Sequence, residues 1–194
     1  MEDRVAIFID GSNLYHGLRG NFGRYNINFA DFTSKLCVSR HLFRTYYYNV
    51  LQDSLQRPDA YREQQEFLDT LRQTPYLEVR LGSTKLTQGI PVEKGIDIML
   101  ATDLLYFAWN DSYDVAVLVS GDSDFAYALQ AVKNMGKHVE VAYFESGVSK
   151  DLLSVADNRY LMDRHFFTGL WISKRRPQRR RIRATTQNQD YSGQ

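Results

Sequence analysis

Apolar and polar positions alternate in blocks along this chain. Five short runs, VAIFI (5–9), RTYYYNV (44–50), YLEVRLG (76–82), VAVLVS (115–120) and VEVAYF (139–144), have the length and the aliphatic or aromatic content of buried strands. Three segments between them carry a helical pattern. Residues 60–73 (AYREQQEFLDTLRQ) set Phe67, Leu68 and Leu71 on one face, and residues 125–136 (FAYALQAVKNMG) end at Gly136, a residue suited to a left-handed C-cap. Residues 96–110 (IDIMLATDLLYFAWN) are more apolar, as a helix packed against a sheet must be. Strands alternating with helices predict an α/β fold, with a mainly parallel sheet of about five strands covered on both faces. Phe107, Trp109, Phe166 and Phe167 stand in apolar contexts and read as core. Tyr46, Tyr47 and Tyr48 alternate across a strand, so at least one is expected to face outward.

With 194 residues, 43% of them hydrophobic, the chain can bury one substantial core. No run reaches the roughly 18 apolar residues of a membrane span, and MEDRVAIFID lacks a signal-peptide pattern, so a cytoplasmic location is expected. Cys37 is the only cysteine, which excludes an internal disulfide and a cysteine zinc box. His16, His41, His138 and His165 are scattered without metal-ligand spacing and read as ordinary histidines, so any metal chemistry falls to oxygen ligands. Charge is uneven. Residues 1–173 carry 17 basic and 22 acidic side chains and residues 174–194 carry seven and one, so a net charge of +1 hides an acidic body and a basic tail. The composition shift divides the chain into a domain over 1–173 and a tail over 174–194, which is expected to be disordered when free.

In open α/β sheets ligands bind beyond the carboxyl ends of the strands, and two strands here end in acids. FIDGSN (8–13) places Asp10 after one apolar run, and VSGDSDF (119–125) places Asp122 and Asp124 after another; Asp97 opens a helix in VEKGIDIML (92–100). Any one of them taken alone reads as a helix cap. Together they repel one another unless a cation lies between them, and neither strand-end motif has an adjoining Lys or Arg. Several hard oxygen donors suit Mg²⁺ or Mn²⁺. Asn13 is placed to orient a water or a phosphate, and Lys94, three residues before Asp97, to contact a phosphate or developing charge.

FIDGSN, then KGID with the later acid of IDIMLATDLL, then SGDSDF, in that order, resemble the NYN domain, specifically its LabA-like branch within the PIN-like nuclease superfamily. The resemblance runs from about residue 4 to about residue 160. It implies a three-layer α/β/α fold and a Mg²⁺- or Mn²⁺-dependent ribonuclease that hydrolyses RNA phosphodiester bonds. By the same resemblance Asp10, Asp97 and Asp122 match the catalytic, metal-binding acids and Asp124 a fourth, while Asn13, Ser120 and Lys94 match supporting, substrate-binding positions. Asp103 matches a recurrent acid, but six helical residues rotate it about 120° from Asp97, which makes it a support behind the site or a surface residue. Asp157 reads as structural. RNA is the implied partner, with Lys174–Arg183 offering sequence-independent phosphate contacts. A catalytically silent adaptor that binds RNA or protein is the alternative, and an assembly of identical chains stays open. Hydrolysis of small phosphate esters ranks last, because Gly11 and Ser12 follow Asp10 where an aspartyl-phosphate enzyme carries DxD.

Overall fold

The computed structural model describes residues 2–87 and 90–172, with the side chains of residues 83–94 excluded. The basic tail and the Lys94 side chain therefore lie outside the described residues. In chain order the elements are β1 (Arg4–Asp10), α1 (Gly11–Phe22), α2 (Phe29–Cys37), β2 (His41–Val50), α3 (Pro58–Arg72), β3 (Leu77–Thr87) and β4 (Ile90–Lys94). They continue with α4 (Ile96–Trp109), β5 (Val115–Val119), a 3-10 turn (Ser123–Phe125), α5 (Ala126–Asn134), β6 (His138–Tyr143), α6 (Lys150–Val155) and β7 (Asn158–Leu161). The strands form one sheet in the order β4-β3-β2-β1-β5-β6-β7. Six of them run parallel, and β4 pairs antiparallel with β3.

All five expected strands are present, and two more extend the sheet at its edges. Both additions are short and polar for strands. IPVEK contains a proline, which an edge tolerates because it need not donate to a neighbour, and NRYL exposes three of its four residues.

Alternation along β1 creates two cores. Val5, Ile7 and Ile9 pack with Leu14, Leu18, Phe32, Leu36, Leu68 and Leu71 of α1, α2 and α3. Ala6 and Phe8 pack on the opposite face with Leu100, Leu104, Leu129 and Val132 of α4 and α5. Each fully buried Leu or Phe contributes roughly 1.5–3 kcal/mol of transfer free energy. Phe107 packs against the second core, and Phe166 and Phe167 belong to the first.

Two expectations are corrected. Trp109 is 79% exposed at the end of α4. Tyr46, Tyr47 and Tyr48 are all buried, because β2 lies inside a sheet that helices cover on both sides. Among the described residues no helix is long and apolar enough to cross a membrane.

Arg4 fastens β1 to the chain entering β5: its backbone N–H and guanidinium donate to Asp114 at 2.8–3.0 Å. Hydrogen bonding from that guanidinium holds the Asp114 carboxyl well below the usual carboxylate range. A depressed carboxyl contributes stability above its unfolded pKa, and that stability is lost as pH falls through the folded value. Acid titration of unfolding is therefore expected to lose part of its slope below about pH 4 in Asp114→Asn, as followed by far-UV circular dichroism.

Candidate active site

Three segments meet beyond the carboxyl ends of β1 and β5. Asp10 ends β1 and caps α1: one carboxylate oxygen accepts the Asn13 N–H at 3.0 Å and the other accepts the Ser120 hydroxyl at 3.1 Å. Ser120 Oγ in turn accepts the Asp122 N–H at 3.2 Å, so one hydroxyl ties together the two strand-end motifs. Asn13 Oδ1 accepts the Gly121 N–H at 3.2 Å and closes the link from the other side. Asp122 caps the 3-10 turn by accepting the Asp124 N–H at 3.0 Å. Asp97 enters from the first turn of α4, after Gly95 at φ 86°, a left-handed conformation that glycine adopts without strain.

These segments border a pocket of about 490 Å³ lined by Asp10, Ser12, Asn13, His16, Asp97 and Asp122, among others. Gly11 lets α1 start tight against β2, since a Cβ there would lie 2.4 Å from the Tyr47 ring and 2.6 Å from the Tyr48 carbonyl oxygen. Asp10 is only 7% exposed, and burial raises its pKa, with Asp97 and Asp122 adding to the rise and the two hydrogen bonds opposing it. Burial also raises the pKa of Asp97, with Asp122 and Asp124 contributing. The described lining contains no Lys or Arg. The acids thus share one negative field, with no described cation in the lining to relieve it.

Asp10, Asp97, Asp122 and Asn13 converge on the pocket, while Asp124 lies exposed outside its lining and acts on Asp97 through charge. Ser120 is fully buried and holds Asp10 and the Asp122 backbone. Asp103 is neither at the surface nor in the pocket. It is buried, accepts the Tyr48 hydroxyl at 2.8 Å and pairs with Arg80, whose guanidinium lies 4.8 Å from the Tyr46 ring centroid. Asp157 is structural, accepting the Val139 N–H at 2.9 Å and pairing with Lys133 at 2.7 Å.

His16, read from sequence as an ordinary histidine, lines the pocket from α1 together with Gly17 and Gly20. Their spacing from Asn13, by three, four and seven residues, is the signal of one helical face. Recognising it requires seeing α1 first, and its sequence GSNLYHGLRGNF carries three glycines that obscure the helix.

Among the described residues no three Asp, Glu, His or Cys side chains form a ready-made cage for an ion. The donor chemistry nevertheless fits Mg²⁺ or Mn²⁺. Mg²⁺ keeps several waters and is usually held by one or two carboxylates rather than by an all-protein cage, and the pocket offers oxygen donors beside uncompensated charge.

An open α/β sheet with an acid-lined pocket at the carboxyl ends of its central strands defines the class. The chain belongs to the NYN domain family, whose sequence model matches residues 4–163. That membership points to the PIN-like nuclease superfamily, whose domains generally use divalent metals, and to RNA binding in general terms. The chain is 27% identical over 171 residues to the Low amplitude and bright protein LabA of Synechococcus elongatus, covering 81% of this chain and 82% of that one. It shares its fold with a crystal structure of a Vibrio parahaemolyticus protein of unknown function, at a TM-score of 0.69 and 22% identity, covering 84% of this chain and 94% of the other.

Proposed function

We propose that this protein is a metal-dependent endoribonuclease acting in the cytoplasm, with Mg²⁺ or Mn²⁺ held by Asp10, Asp97 and Asp122 and supported by Asp124. The observation that carries the reading is the convergence of carboxylates from three separate elements on one pocket, where burial and mutual repulsion raise the pKa values of Asp10 and Asp97. When bound, the metal would neutralise those carboxylates and the scissile phosphate and make a bound water acidic enough to attack at neutral pH.

The rest of the work falls to the chain. Ser120 and the Asn13 N–H fix the Asp10 carboxylate by its two oxygens, which keeps it aimed into the pocket. Asn13 spends its carbonyl oxygen on Gly121, and so has its amide N–H₂ to offer to a phosphate oxygen or a water. Lys94 supplies positive charge to the phosphate, and the segment Lys174–Arg183 adds phosphate contacts that weaken with salt. Hydrolysis adds the water oxygen to phosphorus and breaks the bond to the leaving strand. The residues 1–173 form the catalytic domain in this reading.

Purified protein incubated with labelled single-stranded RNA is expected to cleave it with Mn²⁺ and not with EDTA. Cleavage that persists unchanged in EDTA overturns metal dependence. The same metal is expected to stabilise the fold. At a hundredfold excess over Kd, Mn²⁺ adds about 2.7 kcal/mol, or roughly 5–10 °C in Tm for a chain of this size, in a thermal-shift scan. A second reading, an adaptor that binds RNA without cleaving it, draws on the absence of a preformed three-ligand cage among the described residues. It predicts RNA binding that survives EDTA, no cleavage, and weaker binding after removal of residues 174–194.

A further inference from the structure

A second cavity of about 350 Å³ adjoins the acid pocket and shares Ser12 and His16 with it. Its size falls within the range of roughly 300–1,000 Å³ usual for ligand sites. Phe29, Tyr47 and Phe67 make its floor, with ring centroids 5.6–5.9 Å apart in mutual edge-to-face contact. Tyr15, 40% exposed, lines the wall from α1, its ring 5.2 Å from that of Tyr25. Arg57, at the N-cap of α3, lines the cavity from the other side and is exposed. Among the described residues its guanidinium has no hydrogen bond or ion pair. A cavity walled by aromatic rings, bordered by an unpaired guanidinium as well as the Glu63 carboxylate, and adjoining the acid pocket has the chemistry of a nucleotide site.

We infer that this cavity binds one nucleobase of a single-stranded RNA next to the scissile phosphate, with Tyr15 as the stacking face and Arg57 as the contact to the neighbouring phosphate. The inference rests on the nuclease reading for the identity of the strand, but it concerns binding alone. The shape of the recess selects a single strand over a duplex. A base must leave its stack to enter a recess between α1 and α3, and only an unpaired base does so without breaking pairs. Of the polar side chains in its lining, Gln64 and Asn49 are spent on Val50, Tyr47 and the Gln52 backbone, whereas those of Ser12, Gln52 and Glu63 have no hydrogen bond among the described residues and are available to a base edge. Stacking itself is sequence-tolerant, so any preference among bases is expected to come from those polar side chains.

The test measures binding without cleavage. Fluorescence anisotropy of a short labelled single-stranded RNA is recorded on the full chain in EDTA, at salt high enough to suppress contacts from residues 174–194. Tyr15→Ala is expected to weaken binding about tenfold and Tyr15→Phe to preserve it, since stacking needs the ring and not the hydroxyl. Arg57→Ala is expected to reduce the slope of log affinity against log salt by about one phosphate contact. An RNA carrying a photoreactive base is expected to cross-link to α1 residues around Tyr15. Tyr15→Ala binding as tightly as the parent, or cross-links confined to residues outside the cavity, overturns the inference and leaves the recess to another ligand, such as a protein side chain. Neither outcome depends on turnover, so a chain that binds this way without cleaving retains the base site and loses only the nuclease reading.

Discussion

Asparagine at both Asp10 and Asp122 is expected to lower RNA cleavage by at least about 10²-fold, because loss of ligands exceeds the 10–100-fold cost typical of losing only their supporting partners. The same double variant is expected to keep its fold, with stability in EDTA within about 1 kcal/mol of the parent. After Asp10→Asn the remaining side-chain carbonyl oxygen can still accept the Asn13 N–H, and Ser120 can turn its hydroxyl to accept from the new amide. Repulsion works in the same direction. Burial, and then Asp97 and Asp122, raise the pKa of Asp10, so the charged form is disfavoured in the folded protein, and removing it relieves the site. For a raised carboxyl pKa the sign is opposite to that of Asp114: the folded state gains stability as pH falls through the folded value. A variant that loses cleavage and also unfolds would show these acids to be structural caps. One that retains cleavage would remove them from the chemistry.

The second large effect concerns the fold behind the site. Arg80→Ala leaves the buried Asp103 with only Tyr48 as a partner and removes the guanidinium stacked on Tyr46 and Phe107. Stranding a buried charge costs about 3–5 kcal/mol; because the Arg80 side chain is 28% exposed, the lower end applies, about 3 kcal/mol or roughly 6–12 °C in Tm. Arg80→Met combined with Asp103→Asn keeps an acceptor for the Tyr48 hydroxyl without the charge. It is expected to recover more than half of the loss in a denaturant titration. If the double variant is no more stable than Arg80→Ala, the stranded charge is not the cause.

β1 and β5 are plain in the sequence because each is a continuous apolar run, the mark of a strand buried on both faces. β4 and β7 lack that mark, since an edge strand needs neither apolar faces nor an unbroken donor row. α1 was hidden by its glycines. Gly11 and Gly17 are there because α1 lies against Tyr47 and Phe144, closer than a Cβ allows, a demand of tertiary packing that leaves only a weak local pattern. Strand-end acids were legible because topology forces strand ends together. Asp10 and Asp122 prove to be both helix caps and pocket walls, so the two readings of each residue were never alternatives. The surroundings of Asp103 are not legible locally, because it stands on α4 and its partner Arg80 on β3, and nothing nearby in sequence announces the pair. The aromatic cavity was invisible for the same reason: its walls come from α1, β2 and α3 and meet only in the folded chain.

Crystals of the protein soaked in Mn²⁺ and measured at the manganese absorption edge show whether the acid pocket holds a metal. An anomalous peak is expected in the pocket bordered by Asp10, Asp97 and Asp122, lost in the Asp10→Asn Asp122→Asn variant. No peak there at saturating Mn²⁺, or a peak that survives both substitutions, would contradict metal binding by these acids.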